Sequence, residues 1–136
     1  KQFRGEARVK NDTDVTEEDI KKNHLILWGD ASSNKLIAKI ASKLPVQWGS
    51  ELVVNKEKFS SSDHALIMIH PNPENLSKYV VLNSGFTFRD YDYLNNARQI
   101  AKLPDYAVID LNIAPNARFP GKVKTAGFFN DAWKFE

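Results

Sequence analysis

The 136-residue sequence contains no cysteine, which excludes disulfides, thiolate metal sites and a cysteine nucleophile together. The compartment stays open, because periplasmic proteins also occur without cysteine. No apolar run approaches the roughly 18 residues that a membrane-spanning helix needs, and no signal peptide is visible. Neither G-x-G-x-x-G nor G-x-x-x-x-G-K-[ST] occurs, so dinucleotide and P-loop chemistry lose their main support. H-E-x-x-H is missing too, and His24, His64 and His70 lack the i, i+4 spacing of a helical metal site. The G-x-S-x-G nucleophile elbow is absent, since no glycine stands two residues before Ser84 in Leu82-Asn83-Ser84-Gly85-Phe86. No metal and no cofactor is therefore expected.

What is present is the composition of one globular domain, 42% hydrophobic and 11% aromatic. The sequence opens on Lys1, not Met, and is expected to begin partway through a longer chain or after a removed segment. Nineteen basic and 17 acidic residues give a net charge of +2, spread along the chain. Nucleic-acid binders concentrate basic residues on one face. Here Lys21-Lys22 follows Glu17-Glu18-Asp19, the charge order that a helix dipole favours. No nucleic-acid partner is expected.

Residues 1–15 are polar and lack periodicity, which predicts a linker or N-terminal extension to a single domain over 16–136. Thr16 with Asp19 is a loose capping box for a helix over Thr16–Lys22. His24–Trp28 is a continuous apolar run closed by Gly29-Asp30, the pattern of a strand buried on both faces. Ser32-Ser33-Asn34 offers caps for a helix whose stripe is Leu36, Ile37, Ile40, Ala41 and Leu44, ended by Pro45. A short strand around Val46–Trp48 and a hairpin over Glu51–Phe59 follow. Further strands are predicted at Ala65–Ile69, stopped by Pro71-Asn72-Pro73, and at Tyr79–Leu82, Tyr106–Asp110 and Val123–Phe129. Asp90 or Asp92 caps a predicted helix running to about Ala101. Strands alternating with helices predict an α/β fold: a mostly parallel, mixed sheet with helices on both faces, a three-layer sandwich.

In such a fold, ligands sit beyond the carboxyl ends of the strands. If the strands are parallel, Asp30, Ser33, Asn34, His70, Asn72, Asn83 and Ser84 line one polar cleft. The same residues are also ordinary caps and turn formers. A Ser84/His70/Asp110 triad can be composed on paper, but triads are recognised by geometry and the spacing does not favour this one. Phe86, Phe88, Arg89, Tyr91 and Tyr93 mix rings with charge, as interfaces do. They read equally as core packing and as a docking surface.

Several of these segments resemble one bacterial family. They are His24-Leu25-Ile26-Leu27-Trp28-Gly29-Asp30 with Ser33-Asn34, then Pro71-Asn72-Pro73, and then the long run from Tyr79 to Arg89. Leu103-Pro104-Asp105-Tyr106-Ala107-Val108 and Ala126-Gly127-Phe128-Phe129 complete the likeness. Together they resemble the C-terminal region of large prolyl-oligopeptidase-like α/β-hydrolases from Bacteroidetes and Planctomycetes. In that family the catalytic serine lies in an upstream domain that this chain lacks. The resemblance implies a non-catalytic accessory module of a secreted or periplasmic hydrolase, with the upstream domain of the same chain as partner. It assigns no functional residue here. A weaker similarity links Leu27-Trp28-Gly29 through Asn34 to non-catalytic α/β domains that precede the catalytic barrels of some glycoside hydrolases. The alternatives are a module binding a small ligand, peptide or carbohydrate at the strand ends, and a stand-alone hydrolase.

Overall fold

Thr16 opens the first helix as expected. In a computed structural model, which describes residues 8–84, 104–114 and 121–136, α1 spans Glu17–Lys22. The Thr16 hydroxyl accepts the Asp19 N–H, and the Asp19 carboxylate accepts the Thr16 N–H in return. Lys10 adds an ion pair to the same carboxylate at 2.7 Å, and these bonds hold Asp19 well below the usual carboxylate range. Ile20 is the one buried side chain of α1.

Strand β1 (Leu25–Trp28) leads through a loop to α2 (Lys35–Ile40) and a 3-10 turn at Ala41–Lys43. Strands β2 (Gln47–Trp48), β3 (Glu51–Val54) and β4 (Glu57–Ser60) then form a separate antiparallel sheet in the order β2-β3-β4. The expected hairpin is there, turning at Asn55 and Lys56, both with positive φ. That is the twist a two-residue turn requires between right-handed strands. Strands β5 (His64–Asn72), β6 (Asn75–Asn83), β7 (Tyr106–Asp110) and β8 (Lys122–Gly127) join β1 in a five-stranded sheet, ordered β1-β6-β5-β7-β8.

The three-layer α/β sandwich is not what forms. Among the described residues 41% are strand and 17% helix, with two α-helices only. Of the five-stranded sheet's four pairings, β1 with β6 is the sole parallel one. The cause lies in Pro73-Glu74. Two residues can join antiparallel neighbours, whereas a parallel crossover needs a dozen or more. Strand β5 runs through Pro71 to Asn72, with an irregularity between them, and β6 starts again at Asn75. Pro71-Asn72-Pro73 therefore turns a long hairpin instead of opening a crossover. The helix expected up to about Ala101 lies outside the described residues.

One face of the five-stranded sheet carries the main core. Leu27, Leu66, Met68, Val80, Leu82, Tyr106 and Val108 meet Ile37 and Ile40 of α2 and Leu52 and Val54 of the second sheet. Phe129, Trp133 and Phe135 of the C-terminal segment close that cluster. A smaller group on the other side of β5 and β7 holds Ala65, Ala107 and Ile109. Strand β1 is an edge strand, and its apolar run is buried only on alternate residues. Leu27 is buried, while Ile26 is 64% and Trp28 50% exposed.

The β5–β6 turn fastens both helices. The Asn75 side chain donates to the Ile20 and Lys21 carbonyls at the end of α1. Glu74 pairs with Lys39 and Lys43 at 2.6 Å each, and these bonds, Lys39 first, lower its carboxyl to about 2. A carboxyl made more acidic by folding adds stability that is complete above its unfolded range near 4.5 and fades as pH falls toward 2. An acid titration followed by circular dichroism is expected to show Glu74→Gln losing less stability than the parent across that window. Superimposable profiles would mean that the two lysines do not act on Glu74 in solution.

Candidate functional site

Parallel pairing puts the carboxyl ends of β1 and β6 side by side. Trp28 is level with Asn83, and the Gly29 N–H donates to the Asn83 carbonyl at 3.1 Å. Asp30, Ser33, Asn34, Asn83 and Ser84 therefore share one edge, as the sequence suggests. His70 and Asn72 do not join them. Strand β5 runs antiparallel, so these two lie four and six residues beyond Leu66, the residue bonded to Ser84. At about 3.3 Å per residue that is roughly 13 to 20 Å away.

The groups at this edge are committed to one another. The Asp30 carboxylate accepts from the Ser32 and Ser33 N–H groups and from both hydroxyls, at 2.6 to 3.0 Å. Those bonds, Ser32 foremost, hold Asp30 below the usual carboxylate range. The Asn34 side chain accepts from the Leu36 and Ile37 N–H groups, capping α2, and donates to the Trp28 carbonyl at 3.1 Å. Gly29, at φ 96°, is required here, because an added Cβ would fall 2.5 Å from the Ser33 hydroxyl. The Ser84 hydroxyl accepts the Leu66 N–H at 2.6 Å and donates to the Leu66 carbonyl at 3.1 Å. It extends the β5–β6 ladder by a side chain.

This geometry dismantles the paper triad. Ser84 has its proton on a backbone carbonyl, and His70 sits at the other end of the sheet with Nδ1 on the Pro71 carbonyl at 2.9 Å. Asp110 accepts from the Asn112 N–H and amide, and these bonds, the backbone one foremost, hold its carboxyl below the usual carboxylate range. His64, level with Asp110 across β5 and β7, places Nδ1 on the Ser60 carbonyl at 3.1 Å. No cluster of His, Asp or Glu able to hold a metal occurs among the described residues, and no described helix is long and apolar enough to cross a membrane. Phe86, Phe88, Arg89, Tyr91 and Tyr93 lie outside the described residues.

A ring cluster stands at the opposite end. Phe129 and Trp133 belong to the aromatic C-terminal segment that the sequence suggests as a cover, whereas nothing along the sequence points to His24, Tyr79 and His70 meeting them. The register Leu25↔Val80 sets His24 beside Tyr79, 55 residues away. Their rings stack at 5.6 Å, and His24 Nδ1 accepts the Tyr79 N–H at 2.9 Å. Trp133 approaches Tyr79 at 5.4 Å and His70 at 5.8 Å, while Phe129 lies against His70. The Asn130 side chain holds the C-terminal turn by accepting from Ala132 and Lys134 N–H groups. Tyr79 stays 39% and Phe128 72% exposed. The signal lay in chain positions that only the parallel register brings together.

A separate open groove of about 350 Å³ runs between the second sheet and the chain's last residues. Pro45, Val53 and Phe135 give it apolar walls, with Gln47, Asn55 and Lys56 also lining it. Its volume falls within the range of small-ligand sites. Compared with protein-family models, curated proteins and solved structures, the chain matches none.

Proposed function

We propose that this chain is a non-catalytic accessory domain of a larger secreted or periplasmic hydrolase, acting by presenting surface to an upstream domain of the same protein. The support is a single observation: the hydroxyls and carboxylate placed where a reaction centre would sit are spent on local hydrogen bonds. A nucleophile needs a base within about 3 Å, and Ser84 meets only backbone. Surface is available instead, in Ile26 and Trp28 on the edge strand and in Phe128. Exposed large apolar side chains of this kind are what docking faces use.

A second reading, a module for a small ligand or carbohydrate, draws on the groove beside Phe135 and on Tyr79 set between His24 and Trp133. Both features lie away from the strand ends where a ligand was first expected.

Assay of the isolated chain on ester and aminoacyl-peptide substrates tests the proposal. No turnover above buffer is expected from the chain or from Ser84→Ala. In the full-length parent, Ser84→Ala is expected to leave activity within a few-fold. A loss of about three orders of magnitude, the scale for removing a nucleophile, would overturn the accessory role.

A further inference from the structure

Asn72 is the one buried polar residue among the described core positions, at 1% exposure. Its orientation is fixed by its neighbour. The Glu74 N–H points at the side chain at 3.0 Å, and a donor must meet the oxygen, so Oδ1 is placed there and the NH₂ group faces the other way. That Nδ2 has no hydrogen-bond partner in the protein. Buried amide donors are satisfied in the great majority of proteins, by protein or by ordered water.

The residue lines a small cavity beneath α2. Ile20, Leu27, Leu36, Ile40 and Val80 are apolar walls, and Asn72, Lys39 and Glu74 complete the lining. The space open to the centre of a water molecule is about 10 Å³, close to what one water needs and far short of a larger ligand. A dry cavity suits apolar walls alone; a carboxamide with unspent protons does not fit one.

We propose that this cavity is a binding site for one water molecule, held by the Asn72 amide and shared with the Glu74 carboxylate. The water accepts from Nδ2 and donates to a Glu74 oxygen, each of which has a lone pair beyond the one its lysine uses. It thereby links the end of β5 to the turn that follows it, beneath α2, where leucine in place of Asn72 would leave nothing to bind. Water is the ligand that meets both the volume and the pairing of one donor with one acceptor.

Water-selected ROESY spectra of the whole chain test this. Cross-peaks from water to both Asn72 amide protons and to the Val80 and Ile40 methyls are expected, with the sign of dipolar contact and not of exchange. Methyl protons do not exchange, so their cross-peaks report a resident molecule. Absence of methyl and amide cross-peaks in the parent chain would overturn the site. In Asn72→Leu the methyl cross-peaks are expected to vanish; their persistence would show that other groups hold the water and would overturn the assignment to Asn72. Should that variant fail to fold, the parent spectrum decides alone.

Discussion

Leu66→Ala is expected to lower the unfolding free energy by about 3 to 4 kcal/mol, the middle of the range for truncating a buried leucine to alanine. Leu66 lies on β5, the middle strand of the five-stranded sheet, is fully buried and sits level with Val108. It belongs to the cluster that α2, the second sheet and the C-terminal segment all touch. Its backbone is gripped by both Ser84 Oγ and Ser84 N–H, so the strand cannot shift to fill the hole. Domains of this size are stable by about 5 to 15 kcal/mol, and one such change removes a large share. Urea unfolding gives the measurement, with Ile26→Ala as control. Ile26 is well exposed on the edge strand, and its loss is expected to change stability by less than about 0.5 kcal/mol. Equal effects from the two variants would mean that the core is not centred on β5.

Asn34→Ala is expected to cost about 2 kcal/mol and to lower the melting temperature by roughly 8 °C. Two jobs end together. The side chain caps α2 through Leu36 and Ile37, and it ties that cap to the last carbonyl of β1 at Trp28. A six-residue helix cannot persist on propensity alone, so its first turn depends on the cap. Asn34→Asp keeps the accepting oxygen and loses the donor to Trp28, and it is expected to recover more than half of the loss. If the alanine variant melts with the parent, the Asp30 turn alone fixes the loop.

Local structure was legible where side chains act on their own neighbourhood. Thr16 and Asn34 mark helix starts, because caps are short-range chemistry. Helix α2 ends at Ile40, ahead of Pro45, and the turn expected over residues 55–58 is only Asn55-Lys56, with Glu57 and Lys58 already in β4. Strand direction was not legible from the apolar runs. Ala65–Ile69 and Tyr79–Leu82 are equally apolar in either orientation, and only the length of the link between them decides. Pro73-Glu74 holds that information, but a proline pair after an apolar run also marks a strand's end, and β5 instead extends through Pro71. Likewise His24–Trp28 looked like a strand buried on both faces, although Ile26 and Trp28 are exposed. Edge position is a property of the whole sheet and leaves no local mark. The candidate cleft divided along the same line: Asp30, Ser33, Asn34, Asn83 and Ser84 come together through the parallel β1–β6 pair, and antiparallel β5 carries His70 and Asn72 away.

That parallel pair also sets an order in time. The β5–β6 hairpin closes through two residues and can zip from Asn72 and Asn75 outward, whereas β1 must find partners 55 positions down the chain. Closing a long loop costs entropy before any contact repays it, and pairings of high sequence separation form slowly. The hairpin is thus the early template, and β1 arrives late with α1 and α2 attached on either side of it. An element added last to an open edge is also the one that detaches at least cost, and when β1 lifts away it uncovers the backbone edge of β6 from Val80 to Asn83.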